Sequence, residues 1–370
     1  MVADGRARNR HRGHGARPQS AGRRSARRAR PAHEDPTGVA VSDALLSVRN
    51  LTTAFATESG STIAVDDVGF DVRAGEAVGL IGESGSGKSV AALSILGLLP
   101  TPPARVLSGS AMFEGRDLLQ MPAKELRRIR GKRIGMIFQE PMTSLNPVFP
   151  IGEQIAESLR LHERLGNEAA RKRAVAMLDR VGIPSASRRL DDYPHQLSGG
   201  MRQRVMIAIA LACDPKLLIA DEPTTALDVT VQAQLLDLLN DLRRETGMAM
   251  LLITHNMGVI AEFADRVVVM YSGRVAEEAP IETLFDAPRH PYTQGLLGAT
   301  PTLAQTEVRL RTIPGALPDP AAPPPGCRFA PRCDFAEAAC SAARPTDVTL
   351  AAGHRAACRR TDATMNWQAA

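Results

Sequence analysis

A glycine-rich segment, Gly82–Ser89, constrains the fold of this 370-residue chain more than any other feature. Its sequence, GESGSGKS, fits the pattern G-x4-G-K-S. The apolar run Glu76–Ile81 before it predicts a buried parallel strand, and Lys88–Leu98 after it predicts a helix that ends before Pro100. In a strand–loop–helix arrangement of this kind, successive backbone N–H groups can surround a phosphate group. The segment therefore predicts an α/β protein with a phosphate-binding loop, and Gly82–Ser89 is called the phosphate loop below.

Strand and helix patterns alternate downstream of the phosphate loop. Short apolar runs predict further buried strands at Ile134–Phe138, Lys216–Ala220, Met248–Ile253 and Val267–Tyr271. Helical spacing covers most of residues 151–212 and the segment Val229–Arg244. Because strands that alternate with helices are typical of βαβ units, this order predicts a mainly parallel sheet. Two further strands are predicted ahead of the loop, at Leu45–Leu51 and Thr62–Val72.

The basic excess of the chain lies in its N-terminal segment. The formal net charge is +5, but residues 1–36 hold ten arginines and only three acidic residues, so the remainder carries −2. This segment lacks apolar periodicity and predicts a disordered, Arg-rich tail over residues 1–42, interpreted as an inert extension or an over-long reading of the gene. The weaker alternatives are an organellar transit peptide and an arm for nucleic acid or anionic lipid, and no nucleic-acid partner is expected. The longest apolar run, Val205–Cys213, falls well short of the ~18 residues that span a membrane.

An acidic pair follows another predicted strand. The run Leu217–Ala220 should carry Asp221 to the carboxyl edge of the sheet, beside the phosphate loop. There the carboxylate of Asp221 and the hydroxyl of Ser89 could hold Mg²⁺, while Lys88 reaches the β and γ phosphates of a nucleotide. Glu222, one residue later, is placed to polarise an attacking water as a general base.

The segment Leu197–Arg204, with the sequence LSGGMRQR, indicates which protein family the chain resembles. Together with the phosphate loop and the acidic pair, it resembles the signature motif of ABC-type ATPases. The resemblance implies ATP and Mg²⁺ as ligands, and a P-loop NTPase fold with a RecA-like core, an antiparallel β subdomain and a helical subdomain. In that family two such domains dimerise head to tail, and each signature caps the γ-phosphate held by the other. Met201 departs from the usual glutamine, but Ser198, Gly199 and Gly200 are retained.

Four further positions acquire roles from the same resemblance. Gln139 resembles the Q-loop glutamine that senses Mg²⁺ and water, and His255 resembles the switch histidine that contacts the γ-phosphate. Asp228 resembles the D-loop aspartate at the dimer interface, and Phe55 is the candidate for stacking on adenine. The resulting nucleotide-site set consists of Phe55, Gly82, Glu83, Ser84, Gly85, Ser86, Gly87, Lys88, Ser89, Gln139, Ser198, Gly199, Gly200, Asp221, Glu222, Asp228 and His255. Glu222, His255 and Gln139 are the catalytic candidates, and Ser89, Gln139 and Asp221 are the magnesium candidates.

A subgroup of the family is also indicated. Gln139–Pro147 resembles the Q-loop of ATPases that serve oligopeptide, dipeptide and nickel importers, and Pro291–Thr293, Ile313–Gly315 and Gly326–Phe329 resemble the C-terminal extension of that group. This resemblance implies an ATPase domain at residues 43–290, with its helical subdomain at about 140–205, and an extension at 291–370. It also implies a second ATPase subunit in a hetero- or homodimer, two membrane permeases and an extracytoplasmic solute-binding protein. The chain would be peripheral, on the cytoplasmic face of the cell membrane.

The sequence leaves alternatives for the cargo and for the process that ATP hydrolysis drives. Uptake of di- or oligopeptides is the preferred function, with nickel or another small solute as the alternative. A non-transport ABC ATPase would usually carry two cassettes or a long coiled coil, and this chain has neither pattern. A redox sensor with vestigial ATPase activity is disfavoured because Lys88, Asp221, Glu222 and His255 are all present.

The extension contains four of the five cysteines, in the pattern C-x5-C-x6-C-x17-C: Cys327, Cys333, Cys340 and Cys358. Four thiolates suit a tetrahedral zinc site or an iron–sulfur cluster, but the spacing matches neither the short zinc hairpins nor the common ferredoxin runs. Resemblance to the importer ATPases implies a [4Fe–4S] cluster at these positions. Zinc, and free or disulfide-bonded thiols, are the alternatives. Cys213 ends an apolar helix and is expected in the core.

Overall fold

A computed structural model describes residues 44–58, 60–139, 144–224, 228–300, 312–362 and 364. The predicted tail at residues 1–42 lies outside these ranges, as do residues 140–143 of the motif Gln139–Pro147 and the three residues before Asp228. The described residues belong to one compact unit. Within these ranges, no helix combines the length and apolarity that a membrane crossing requires.

An eight-stranded sheet forms the centre of the molecule, in the order β11-β12-β10-β9-β3-β8-β7-β6. Five consecutive strands of this order pair in parallel, namely β9 (Arg266–Tyr271), β3 (Ala77–Ile81), β8 (Ala249–Thr254), β7 (Leu217–Asp221) and β6 (Ile134–Ile137). Every residue of β3, β7, β8 and β9 is buried, as expected for strands with both faces covered. The predicted α/β class with a mainly parallel sheet is confirmed.

The two faces of this sheet pack against different layers. In β7, Leu217 and Ile219 join the cluster formed with the helix Lys88–Ile95, while Leu218 and Ala220 join the cluster formed with the helix Gly199–Leu211. This alternation follows from the two-residue period of a strand. Because all parallel strands run in the same direction, the loops that follow them gather at one edge of the sheet.

A second, antiparallel sheet packs on one of these layers, in the order β2-β1-β4-β5. Its strands are β1 (Ala44–Thr57), β2 (Gly60–Arg73), β4 (Ala104–Phe113) and β5 (Arg116–Asp117). The strand β1 continues six residues past the predicted end at Leu51, whereas β2 exceeds the predicted Thr62–Val72 by only two residues at its start and one at its end. This sheet is the antiparallel β subdomain expected from the family resemblance.

Helices complete the cassette part of the chain. The helical region between β6 and β7 contains Ile151–Glu163, Asn167–Arg180, Ala186–Arg189 and Gly199–Leu211, with a short 3₁₀ turn at Pro194–Gln196. Other helices lie at Lys88–Ile95, Ala123–Ile129, Val229–Thr246, Met257–Phe263 and Ile281–Asp286. Cys213 is buried as predicted, and its Sγ lies 3.7 Å from the carbonyl oxygen of Ser158.

Three antiparallel strands continue the main sheet beyond β9. They are β10 (Arg274–Pro280), β12 (His354–Ala356) and β11 (Val348–Ala351). The sequence analysis missed β10 because its charged residues hide the apolar pattern; Glu277, for example, is fully buried there. In the described part of the extension, the other elements are the helices Pro291–Gly298 and Ala338–Ala342 and a 3₁₀ turn at Ala330–Arg332. The extension therefore contributes two strands to the sheet that carries the phosphate loop.

Candidate functional site

The phosphate loop connects β3 to the helix Lys88–Ile95, as its sequence context predicts. Two of its glycines lack room for a side chain. A Cβ atom on Gly82 would lie 2.1 Å from the carbonyl oxygen of Met270, and one on Gly87 would lie 2.6 Å from that of Ala64. Gly87 also has φ +96°, which disfavours any residue with a Cβ atom. Both positions therefore require glycine.

Lys88 turns its ammonium group back over the loop. Its Nζ donates hydrogen bonds to the carbonyl oxygens of Gly82, at 2.8 Å, and of Glu83, at 2.9 Å. Burial lowers the pKa of Lys88, and the carboxylates of Glu222, Asp221 and Glu83 act in the opposite direction. A buried cation at the start of a helix that follows a glycine-rich turn is suited to bind an anion with several charges, such as a polyphosphate.

Asp221 ends β7 next to the start of the phosphate-loop helix. Its Oδ1 accepts a hydrogen bond of 2.9 Å from the hydroxyl of Ser89. Burial raises the pKa of Asp221 to about 6, with a further contribution from Glu222, against the hydrogen bond from Ser89 and the charge of Lys88. One carboxylate and one hydroxyl suit Mg²⁺, which takes few protein ligands and completes its shell with water and phosphate oxygens.

Glu222 lies between two other catalytic candidates. Its Oε1 is 3.1 Å from Nδ1 of His255, and its Oε2 accepts a hydrogen bond of 3.2 Å from Nε2 of Gln139. These three residues follow β7, β8 and β6 respectively, so the edge of the parallel sheet brings them together. Glu222 also has φ +46°, a left-handed conformation that is rare for a non-glycine residue and is concentrated at functional sites.

Comparisons with known proteins identify the family of this chain. Residues 65–225 match the ABC transporter family, and residues 276–340 match the oligopeptide/dipeptide transporter C-terminal region. A peptide import ATP-binding protein of Brucella abortus strain 2308 is 55% identical over 314 residues, covering 85% of this chain and 94% of the relative. Another, from Brucella melitensis biotype 1, is 53% identical over 327 residues, covering 85% of this chain and 97% of the relative. The chain belongs to the ATP-binding proteins of the ABC transporter family.

Solved cassettes of this family show the same architecture. An ATP-binding cassette dimer in a post-hydrolysis state, bound to ADP and Pi, superposes with a TM-score of 0.58 and 30% identity, covering 64% of this chain and 98% of that one. A subunit of an ABC transporter complex from Clostridium perfringens superposes with a TM-score of 0.55 and 28% identity, covering 66% of this chain and 91% of that one. Each superposition therefore leaves about a third of this chain uncovered.

The ABC signature begins the helix Gly199–Leu211. Ser198 is the N-cap residue, and its Oγ accepts a hydrogen bond of 3.4 Å from the backbone N–H of Met201. Ser198 and Gly199 are exposed, which leaves this helix N-terminus accessible to a ligand from outside the chain. The side chain of Gln203, in the same motif, is buried and donates to the carbonyl oxygen of Pro223. This link between the signature helix and the residue after Glu222 was not foreseen from the sequence.

The other two nucleotide-site candidates are Asp228 and Phe55. Asp228 is exposed and caps the helix Val229–Thr246, where its Oδ1 accepts a hydrogen bond of 2.9 Å from Val231 N–H. Phe55 is half-buried in β1, opposite Thr62 of β2 and Ala104 of β4. The adenine-stacking role of Phe55 stays a prediction.

The four cysteines of the extension line one small cavity, together with Phe329 and Ala330. All are free thiols, so the disulfide alternative has no counterpart in this structure. Burial raises the pKa of each of three thiols: to about 11 for Cys333, to about 12 for Cys358, and also upward for Cys327. Among the residues that the structure describes, no group of three or more His, Cys, Asp or Glu side chains is arranged to hold one metal ion. The thiols thus share a cavity without converging on a mononuclear zinc position.

Two residues at the phosphate loop escaped the sequence analysis. The carboxylate of Glu83 pairs with Arg332, which lies between Cys327 and Cys333 in the sequence. The backbone N–H of Glu83 donates a hydrogen bond to the hydroxyl of Tyr292. Tyr292 was noted only as part of a motif of the extension, and nothing in the local pattern around Arg332 signalled a partner some 250 residues upstream. Contacts between residues so distant in sequence leave no periodic signal.

Proposed function

We propose that this chain is the ATP-hydrolysing subunit of an ABC importer that takes up di- or oligopeptides. The observation that carries the ATPase role is the position of Glu222 between Gln139 and His255, at the edge of the sheet that holds the phosphate loop. The peptide cargo is supported by the oligopeptide/dipeptide transporter C-terminal region at residues 276–340 and by the peptide import names of the Brucella relatives.

Different residues bind the phosphates, the magnesium ion and the adenine of ATP. The backbone N–H groups of the phosphate loop and the ammonium of Lys88 bind the β and γ phosphates, replacing the carbonyl contacts that Lys88 makes in this structure. Ser89 and Asp221, with the Gln139 side chain, provide oxygen ligands for Mg²⁺, which supplies charge neutralisation to the phosphates when bound. Phe55 is the proposed stacking partner of adenine.

Hydrolysis follows from the environment of Glu222. Its carboxylate accepts a proton from the attacking water as a general base, while the contacts with Gln139 and His255 fix the direction in which its oxygens point. His255, whose side chain is 58% exposed, can turn its free ring nitrogen toward the γ-phosphate. Positioning and proton transfer of this kind are the main contributions a protein makes to phosphoryl transfer.

A complete site needs a second ATPase subunit. Ser198, Gly199 and Gly200 form a second helix N-terminus suited to phosphate, and its exposed position supports a role in capping the nucleotide of a partner cassette. Asp228, also exposed, is the proposed contact across the same interface. Beside the segment that follows Gln139, Val148 and Phe149 expose 69% and 50% of their surfaces, which supports docking of a membrane permease there.

The remaining assignments follow the same proposal. The ATPase domain comprises residues 43–290, with a helical subdomain at about 140–205, and the extension comprises residues 291–370. Two permeases and an extracytoplasmic solute-binding protein complete the importer, with this chain peripheral at the cytoplasmic face of the cell membrane. The ATPase pair is a homodimer or a heterodimer, and the tail at residues 1–42 takes no part.

The cysteine cavity is the proposed position of a [4Fe–4S] cluster. Support comes from the four thiols that line one cavity, because a cluster of this type takes four cysteine ligands. Iron and zinc analysis with visible absorbance of anaerobically purified protein tests this. Iron with the absorbance of a cluster supports it; zinc, or a colourless metal-free protein, selects the other two alternatives.

The cargo is tested in cells of the source organism that lack the chain. Complementation with the wild type should restore uptake of labelled di- and tripeptides, and complementation with Lys88→Ala should not. Ni²⁺ accumulation measured in the same strains addresses the alternative cargo. Restored Ni²⁺ accumulation with unchanged peptide uptake would refute the peptide assignment and leave the ATPase role intact.

A further inference from the structure

The C-terminal extension is in direct contact with the phosphate loop. The carboxylate of Glu83, the second residue of the loop, accepts two hydrogen bonds from Nη1 of Arg332, at 3.2 and 3.0 Å. The backbone N–H of the same residue donates a hydrogen bond of 2.9 Å to the hydroxyl of Tyr292. Leu317 also lies close to the loop: its Cδ1 is 3.5 Å from the position that a Cβ atom on Gly85 would occupy. Three residues of the extension, Arg332, Tyr292 and Leu317, therefore contact the phosphate loop.

Arg332 is held firmly in this position. Its side chain is 7% exposed. Its Nε donates to the carbonyl oxygen of Pro314 at 2.7 Å, its Nη2 donates to that of Ile313 at 3.3 Å, and its Nη1 lies 3.2 Å from the hydroxyl of Tyr271. The guanidinium group also packs over the Tyr271 ring, 5.8 Å from its centroid. A guanidinium with this many fixed donors presents Glu83 with a partner of defined direction.

Aromatic packing fixes the turn that carries Arg332. Phe329, at the start of this turn, lies edge-on to Tyr271 with 5.2 Å between ring centroids, and 5.4 Å from Tyr292. Tyr292 is fully buried and is also 4.6 Å from Tyr271. Because Tyr271 ends β9, next to β3 in the sheet, the turn between Cys327 and Cys333 is attached to the base of the phosphate loop.

Glu83 needs such a partner because of where its charge lies. A carboxylate in a phosphate-binding loop repels a polyphosphate, and the repulsion is reduced when the carboxylate is paired and directed away. The carbonyl oxygen of Glu83 also accepts a hydrogen bond from Lys88, the residue proposed to meet the phosphates. Holding the Glu83 peptide therefore affects both the charge near the nucleotide and the position of the Lys88 ammonium.

We propose that Arg332 and Tyr292 are positioning residues of the nucleotide site, through which the cysteine-bearing extension sets the affinity of the cassette for ATP. The inference rests on the ATP-binding role proposed above, and it gives the extension a function inside the ATPase cycle. This role is additional to those of the ATPase domain. A solved ATP-binding cassette aligns over 98% of its own length but covers only 64% of this chain.

Equilibrium binding of a fluorescent ATP analogue to the purified full-length chain tests the proposal. Arg332→Ala should raise Kd about tenfold, because an unpaired Glu83 carboxylate then faces the phosphates. In a Glu83→Gln background, Arg332→Ala should change Kd by less than about twofold, because the charge that Arg332 neutralises is absent. The matched control is Arg344→Ala. Arg344 also belongs to the extension, but it forms a surface ion pair with Asp67 of β2, so this variant should bind the analogue as the wild type does.

The outcomes separate the alternatives. Wild-type binding by Arg332→Ala, or an equal loss in both backgrounds, overturns the positioning role and leaves Arg332 as a packing residue. If circular dichroism shows that Arg332→Ala does not fold, Arg332→Lys and Tyr292→Phe carry the test, and unchanged Kd in both overturns the proposal. Failure of the folded wild type to bind the analogue refutes the proposed ATPase function instead.

Discussion

Glu222 and His255 face each other across the ends of β7 and β8, with Oε1 of the carboxylate 3.1 Å from Nδ1 of the imidazole. The other carboxylate oxygen accepts a hydrogen bond from Gln139. Glu222 is only 9% exposed, whereas the His255 side chain is 58% exposed. A buried carboxylate with two hydrogen-bonding partners beside an exposed ring is the arrangement expected when one group activates water and the other contacts the bound phosphate.

Replacing Glu222 with glutamine separates hydrolysis from binding. The amide keeps the size of the side chain but cannot accept a proton, so kcat should fall by at least about a hundredfold. Kd for ATP should stay within about twofold of the wild type or decrease, because a negative charge near the phosphates is removed. Phosphate release and fluorescent-nucleotide binding measure the two effects. Glu262→Gln, on the exposed side of a surface helix, is the control, and undiminished hydrolysis by Glu222→Gln would show that another group is the base.

The hydroxyl of Ser89 should determine the response to magnesium. Ser89→Ala removes a metal ligand and the hydrogen bond to Asp221, so the Mg²⁺ concentration for half-maximal ATPase activity should rise by about tenfold or more. Ser89→Thr keeps the hydroxyl and should behave like the wild type. Titration of ATPase activity with Mg²⁺ at saturating ATP checks both variants; an equal shift in the two would mean that the hydroxyl is not the ligand.

Much of this site could be predicted because its residues lie in short local motifs. The G-x4-G-K-S pattern fixes the loop, and short apolar strands place Gln139, Asp221, Glu222 and His255 at one sheet edge. The contacts of Glu83 with Arg332 and Tyr292 could not be predicted in the same way, since they depend on how two distant segments pack. The strand β10 was missed for a related reason: its buried Glu277 is hydrogen-bonded to partners that no local pattern reveals.

Glu277 should contribute strongly to the stability of the junction between sheet and extension. This fully buried carboxylate accepts hydrogen bonds from the backbone N–H groups of Arg289 and His290, at 2.7 and 2.9 Å, and lies 2.8 Å from Nε2 of His354. Glu277→Gln places an amide N–H₂ against these donors, which should cost about 2 kcal/mol or more of stability.

Thermal unfolding checks the role of Glu277. A loss of about 2 kcal/mol should lower the midpoint by about 2–3 °C, because the entropy of unfolding is about 2.1 cal/mol/K per residue and the chain has 370 residues. The exposed Glu282, on the helix that follows β10, provides the matched substitution to glutamine and should leave the midpoint unchanged. Equal midpoints for Glu277→Gln and Glu282→Gln would show that the buried carboxylate adds no net stability.

His290 should make this junction sensitive to acid. Burial lowers the pKa of His290 to about 4, against the charge of Glu277, and its Nδ1 accepts a hydrogen bond from Tyr292 N–H that protonation would remove. The folded pKa is below the value of 6.5 for an exposed histidine, so between these values the unfolded chain binds more protons. The stabilisation is therefore complete above about pH 6.5 and is lost as the pH falls toward 4.

The variant His290→Asn isolates this effect. Asparagine keeps a side-chain acceptor at the N-cap of the helix Pro291–Gly298 but does not titrate. Between pH 7 and pH 5 the wild type should therefore lose about 2 kcal/mol more stability than the variant. His195→Asn, at an exposed position, should follow the wild type. Because Glu277, His354 and Arg289 face the same junction and are unchanged in all three proteins, parallel stability curves for the wild type and His290→Asn would remove His290 as the source of acid sensitivity.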